Sequence, residues 1–396
     1  MSILRPRSMP LVLAALCATG PLGIDMYLPS IPTMANDFGT SAGAIQFSLM
    51  TFFLGLMLGQ LAYGPLSDKF GRKPLIHVGL AIFSLGSVGC ALAGSIEQLH
   101  WLRFVQGLGG SIGMVIAFAI IKDAFSGAAM GKLMSMVLAV LGLCPVLAPL
   151  AGNALQSLES WRLIFWALAA WGVLVAIVVA VLLQETRSVQ ARAGFALGRT
   201  AHTYLQILRD KRFLPFAMAL CIAQAGFFAY IAGSSTVFIR YYQLSPLQFS
   251  LLFALNAAGL VVAAILNPRL HARMGALKTY RIVTLTYFGV LATLLLAMLA
   301  GINALPLLCT GLFITVALLG LLMPTGSQLA LMQQGQHAGT ASALLGALQF
   351  GAGALITAVS GSLAHLGGIG LVTVMAACAA LSAAICLLLF PRRIEA

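Results

Sequence analysis

An all-α membrane protein of twelve transmembrane helices in two six-helix halves is the fold class the sequence predicts, and three observations predict it. Of the 396 residues 61% are apolar and only 8% charged, against roughly 45–50% and 25% in soluble domains. Twelve apolar runs alternate with short polar connections, and at about 20 residues per crossing twelve spans occupy about 240 positions. Nineteen of the 22 Lys and Arg residues fall on one side of those runs. The longest stretch without a plausible span, residues 184–212, has 29 residues, fewer than the about 50–250 of a soluble domain. Whatever the protein does is therefore done by its membrane part.

In chain order the expected spans are 10–32, 43–63, 74–93, 99–121, 133–154, 163–183, 213–238, 246–266, 283–300, 306–326, 341–363 and 370–390. The first follows Arg5 and Arg7 and imitates a cleavable signal peptide over residues 11–18. Its apolar run continues past Gly20 into Asp25-Met26-Tyr27-Leu28-Pro29, so it reads as a span. Lys69, Arg72 and Lys73 separate the second span from the third, and Lys122 and Lys132 lie between the fourth and fifth. Six basic residues from Arg187 to Arg212 follow the sixth; Arg269, Arg273, Lys278 and Arg281 follow the eighth; Arg392 and Arg393 follow the twelfth. The positive-inside rule then places both termini and the even-numbered loops in the cytoplasm. Only Arg103, Arg162 and Arg240 fall elsewhere. The net charge of +13 is thus a topology signal and not a nucleic-acid footprint, with attraction to the anionic headgroups of the lipid bilayer as its by-product. The basic segment gives the expected organisation: a bundle over residues 1–186, a cytoplasmic linker over 187–212 and a second bundle over 213–396.

Six spans on either side of a linker is the layout of a duplicated transporter. The duplication is visible in one loop: Gly64-Pro-Leu-Ser-Asp-Lys-Phe-Gly71 after span two and Pro268-Arg-Leu-His-Ala-Arg-Met-Gly275 after span eight, offset by 204 residues. Leu66 matches Leu270, Lys69 matches Arg273 and Gly71 matches Gly275, whereas Asp68 becomes Ala272.

The seven cysteines are scattered through the spans and read as small hydrophobes. No His lies four residues from another His or Cys, so neither a metal nor an organic cofactor is expected. Of nine acidic residues only Asp25 falls inside a span. An unpaired carboxylate there costs roughly 2.5–3.5 kcal/mol on insertion scales, so it is expected to face a cavity, pair or hold a proton. Two readings stand: a proton carrier, or a structural acid capping an irregular stretch near Pro29 and Pro32. Arg103 is the only cation placed within a span, and is either a boundary residue snorkelling to the headgroups or a functional cation. Pro145 and Pro149 in span five remove backbone donors and bend the helix; Gly142 and Gly152 favour close packing. Gly64 and Gly71 permit a tight turn. Tyr27, Phe228, Tyr230, Asn256 and Gln349 suit small amphiphilic molecules through stacking and hydrogen bonds, and are the candidate substrate contacts.

Gly64-Pro-Leu-Ser-Asp-Lys-Phe-Gly-Arg-Lys-Pro74 resembles the loop 2–3 motif of the major facilitator superfamily, and Arg103-Phe-Val-Gln-Gly-Leu-Gly109 resembles its span-four motif. Leu143-Cys-Pro-Val-Leu-Ala-Pro149-Leu-Ala-Gly152 resembles, with glycines replaced mostly by other small residues, the antiporter motif of span five. With Asp25-Met-Tyr-Leu-Pro-Ser-Ile-Pro32 and Trp161-Arg-Leu-Ile-Phe-Trp166, the pattern is similar to the bicyclomycin-resistance (Bcr/CflA) group of drug:proton antiporters. The resemblance implies that Asp25 and Arg103 couple transport to protons. It also implies that Asp68, Arg72 and Asp123 form a charge cluster acting as a conformational latch, which Ala272 denies to the second half. The expected function is export of small amphiphilic drugs by antiport with inward proton flow, in an inner membrane, by a monomer rocking its two halves. A proton-coupled importer or exporter of a small metabolite is the alternative in the same fold. A membrane-embedded enzyme lacks a nucleophile, base or metal constellation, and an ATP-driven pump lacks a phosphate loop, because Gly131-Lys132 is followed by Leu133. A channel is disfavoured by the duplicated layout and the latch motif.

Overall fold

The computed structural model describes residues 9–186 and 197–391; Arg5, Arg7, Arg187, Arg192, Arg392, Arg393 and Glu395 lie outside them. The described residues are helical with no strand, and twelve helical stretches are long and apolar enough to cross a membrane. A helix satisfies its own backbone hydrogen bonds, which hydrocarbon cannot do for it, so apolar runs of this length have little alternative.

The first crossing is α1 (Met9–Asp25), a 3-10 turn (Leu28–Ser30) and α2 (Ile31–Asp37). The break has a local cause: Pro29 has no N–H to return to the Asp25 carbonyl, and Pro32 none for that of Leu28. Then follow α3 (Ala42–Phe70), α4 (Arg72–Leu92), α5 (Ile96–Gly110), α6 (Ile112–Ala124), α7 (Gly127–Leu158) and α8 (Arg162–Leu182). The fourth crossing starts three residues before its expected position and is divided at Ser111 into α5 and α6. Ser95 caps α5, its Oγ accepting from the Gln98 N–H at 3.3 Å. Contrary to the bend expected from the two prolines of span five, α7 runs uninterrupted through Pro145 and Pro149.

A short helix, α9 (Leu197–Arg209), leads to α10 (Leu214–Ser235), which continues as a π-helical turn (Thr236–Tyr241). The remaining crossings are α11 (Pro246–Met274), α12 (Ala276–Leu299), α13 (Leu305–Leu331), α14 (Ala338–Ser362) and α15 (Gly367–Leu389). A reciprocal capping box starts α11: the Gln248 N–H donates to Ser245 Oγ at 3.2 Å, and the Ser245 N–H donates to Gln248 Oε1 at 2.8 Å.

Gly64 is not part of the turn after the second crossing. It is helical, and α3 runs on through Pro65 to Phe70. Gly71 alone makes the turn, with φ 101° and ψ 157°; Gly275, its duplicate, has φ 76° and ψ 155°. A side chain at either position is strained in that region, so the repeat is preserved where backbone geometry demands glycine.

Two compact units result: Met1–Thr40 with Ser48–His202, and Ser41–Phe47 with Thr203–Ala396. In the first, α4 packs on α5 and α8, and α1 packs on α6 and α7; Leu16, Ile76, Leu80, Ile116 and Val179 are among the residues of its core. In the second, α10 packs on α14 and α15, and α11 on α13. Close packing and not hydrophobicity must hold helices together in lipid. A methyl group at Gly107 would strike the Phe52 carbonyl and one at Gly113 the Leu16 carbonyl. Leu85, Val181 and Leu388 are 70%, 75% and 80% exposed, the mark of apolar surface turned to lipid.

Candidate functional site

Asp25 is the last residue of α1 and only 3% exposed. Its Oδ1 has no hydrogen-bond partner among the described residues. It forms no ion pair with Arg103, the cation the sequence pairs with it.

Arg103 is fully buried, seven residues into α5. That excludes snorkelling, since its guanidinium is held away from any surface. The carbon of that group lies 4.4 Å from the centre of the Tyr27 ring, 4.2 Å from Phe52 and 5.8 Å from Phe165. One Nη1 donates to the Gly23 carbonyl at 2.9 Å and to Gln106 Oε1 at 2.5 Å. Gln106 Nε2 donates to Ser87 Oγ at 2.7 Å, and Ser87 Oγ donates to the Phe83 carbonyl at 2.7 Å. Desolvated cation–π contacts are worth about 2 kcal/mol or more, so aromatic faces take the place of a carboxylate. Asp25 and Arg103 are linked through the end of α1: the carbonyl that Arg103 grips is two residues before the acid.

Helix α7 closes the other side of that end. Gly152 packs so tightly on Met26 that a methyl group there would collide with the Met26 carbonyl. Gly152→Val is expected to displace the Met26–Tyr27 turn and cut transport about fivefold or more, by the overpacking rule of about 1–3 kcal/mol. Transport assays on vesicles with matched amounts of inserted protein check this; full activity would show that the turn is not shaped by α7.

Tyr27 is engaged by Arg103, and its hydroxyl is 3.4 Å from Ser48 Oγ. In the second unit, Asn256 Nδ2 donates to the Tyr230 hydroxyl at 2.7 Å. The Tyr230 ring stacks with Phe227 at 6.1 Å and with Phe253 at 5.4 Å. Asn256 is fully buried, and its Oδ1 has no partner among the described residues. Phe228 packs on Phe350, centres 5.8 Å apart; Gln349 is half-buried.

The charge cluster is present in the first unit. Arg72, 5% exposed, donates through Nε to Asp123 Oδ2 at 3.0 Å, pairs through Nη2 with Asp68 Oδ1 at 2.8 Å and donates through Nη1 to Ser67 Oγ. A fourth member was not legible from the sequence. Glu185, beyond α8, accepts the backbone N–H groups of Arg72 at 3.0 Å and Lys73 at 3.1 Å. Its carboxylate therefore caps the positive N-terminus of α4. Glu185→Ala is expected to lower stability by about 1–2 kcal/mol, read as a lower thermal midpoint of the purified protein in detergent; an unchanged midpoint would deny the cap any weight.

At the duplicate turn the basic residues Arg269 and Arg273 remain but the carboxylates are gone. His271 Nε2 is 2.8 Å from Thr325 Oγ1, which is 3.2 Å from Asn267 Oδ1. Two helices beside Gly275 are thus joined by a polar side-chain chain with no carboxylate.

Comparison with known proteins decides the family. Residues 13–357 match the profile of the Major Facilitator Superfamily. The chain belongs to the Major Facilitator Superfamily. It is similar to YdgK of Bacillus subtilis strain 168, an uncharacterized MFS-type transporter, at 33% identity over 353 residues, covering 88% of this chain and 87% of the relative. It is also similar to a bicyclomycin resistance protein homolog of Haemophilus influenzae, at 30% identity over 372 residues, covering 94% and 93%. The structure of a D-xylose-proton symporter has the same fold, with TM-score 0.75 at 15% identity over 96% of this chain and 98% of that one.

As a superfamily member the chain is a transporter and a multi-pass membrane protein, not an enzyme. What the superfamily's motifs did not reveal are the aromatic partners of Arg103. Phe52 and Phe165 come from α3 and α8, far apart in sequence, and only packing brings them to the guanidinium.

Proposed function

We propose that this transporter exports small amphiphilic compounds of the bicyclomycin or chloramphenicol kind from the cytoplasm, by antiport with protons and with alternating access. The reading rests on Asp25. A carboxyl group buried at the broken end of α1, with Oδ1 unpartnered among the described residues, has the properties required of a group that must exchange a proton for a neutral or singly cationic passenger. The name of the Haemophilus influenzae relative supports it, as does that of a chloramphenicol resistance protein of Pseudomonas aeruginosa, 33% identical over 264 residues. One proton moving down 100 mV supplies about 2.3 kcal/mol, enough for a concentration ratio approaching 50. Tyr230, Asn256, Phe228, Gln349 and Tyr27 are the proposed substrate contacts, and Asp68, Arg72, Asp123 and Gly71 the proposed latch. An inner-membrane location with both termini cytoplasmic follows the basic loops.

Everted membrane vesicles with an acid interior test the proposal. Adding a transported drug outside should discharge the gradient in vesicles carrying this protein and not in empty ones. Acidification of the medium on adding a metabolite, or no response across a broad drug panel, would favour the metabolite carrier of the same fold.

A further inference from the structure

We propose that α9 lies on the bilayer surface and binds anionic phospholipid headgroups, anchoring the linker between the two sets of spans. Its pattern is that of an interfacial helix. Ala201, Tyr204, Leu205 and Leu208 follow one another at the spacing of a single helix face, while His202 and Arg209 line one edge of that face and Gln206 turns away from it. In a water-soluble fold the apolar face turns inward. Here Leu205 is 49% exposed, with Tyr204 and Leu208 half-buried, and Ile207, on the flank of that face, is the residue the protein buries, at 3% exposed.

Charge and tethering identify the partner. Residues 187–212 carry six Lys or Arg and one acid, Asp210. That acid is already engaged: its Oδ1 accepts the Arg212 N–H at 2.8 Å and its Oδ2 accepts Gln334 Nε2 at 2.9 Å. Arg209, Lys211 and Arg212 form no ion pair among the described residues. The helix follows α8 and precedes α10, both membrane spans, so it cannot leave the membrane surface by more than the reach of its short connections. A 13-residue helix of about 20 Å with an apolar face, a basic rim and a bilayer beside it matches the chemistry of an anionic leaflet. A zwitterionic surface would supply the apolar contact without the charge complement.

The test uses the full-length transporter in nanodiscs of phosphatidylethanolamine with or without phosphatidylglycerol. An environment-sensitive fluorophore is placed at Leu205→Cys or Gln206→Cys, with spin-labelled lipid as quencher and identically treated wild type as the background of native cysteines. The fluorophore at 205 should be quenched and that at 206 spared. Quenching at 205 should be stronger with phosphatidylglycerol, and Arg209→Gln, Lys211→Gln and Arg212→Gln should each lower the preference for the anionic surface about fivefold. Equal quenching at both positions, or none at 205, would overturn the proposal. So would quenching indifferent to phosphatidylglycerol and to the three charges. A monodisperse gel-filtration profile shows that each variant is folded, and the readout does not depend on transport.

Discussion

Asp25→Asn is expected to abolish drug-driven proton movement in everted vesicles while leaving the protein folded and inserted. Asparagine has nearly the same shape and can occupy the end of α1, where the carboxyl group is 3% exposed, but it cannot take up and release a proton. Removing an uncompensated buried charge should also leave stability unchanged or raised, because a lone ionised group at membrane depth costs roughly 2.5–3.5 kcal/mol. Loss of transport with an unchanged melting profile is therefore the signature of a proton carrier. Loss of both would assign Asp25 to the break at Met26–Tyr27. Full drug-driven discharge in the variant would keep antiport and remove Asp25 from its role.

The second large effect is expected at Arg103. Leucine there deletes the contacts with Tyr27 and Phe52, and leaves Gln106 Oε1 and the Gly23 carbonyl without their donor. Each buried acceptor so orphaned costs about 1–3 kcal/mol, and transport should fall by about two- to tenfold if half of one such loss reaches the rate-limiting barrier. Arg103→Lys keeps the charge but not the planar group that lies against two rings at once, so its rescue should be partial. Gln106→Leu, which releases one side of the guanidinium, should give an intermediate loss. An Arg103→Lys protein as active as wild type would show that a point charge suffices and that the aromatic enclosure is only packing.

The crossings were legible because about 20 apolar residues have one stable conformation in a bilayer, and the duplication because one turn needs glycine at Gly71 and again at Gly275. The helix ends were less so. Pro65 was read as lying beyond the second span, yet the chain accommodates it within α3, and Ser111 carries no residue type that marks a break. Arg103 was placed close to a boundary because composition locates the start of a helix only to within a turn; three more residues turn a boundary cation into a buried one. The aromatic enclosure, the Glu185 cap and the link from His271 to Thr325 are tertiary contacts between distant segments, to which a single sequence gives no register. The amphipathic period of α9 was present in the basic segment all along, hidden there by the positive charge that dominated its reading.

The two copies of the turn have come to depend on different properties of the surrounding solution. Around Gly71 an arginine bridges two carboxylates that are 30% and 24% open to solvent, so dissolved ions, whose screening length is about 8 Å at physiological strength, loosen that junction as they become more concentrated. Around Gly275 the junction runs from His271 through the hydroxyl of Thr325 to the amide of Asn267, with no carboxylate in it for salt to screen from a cation. A protein built from one motif used twice thus carries one copy whose ion pairs weaken as salt is added and another held by the hydrogen bonds of Thr325 to its neighbours.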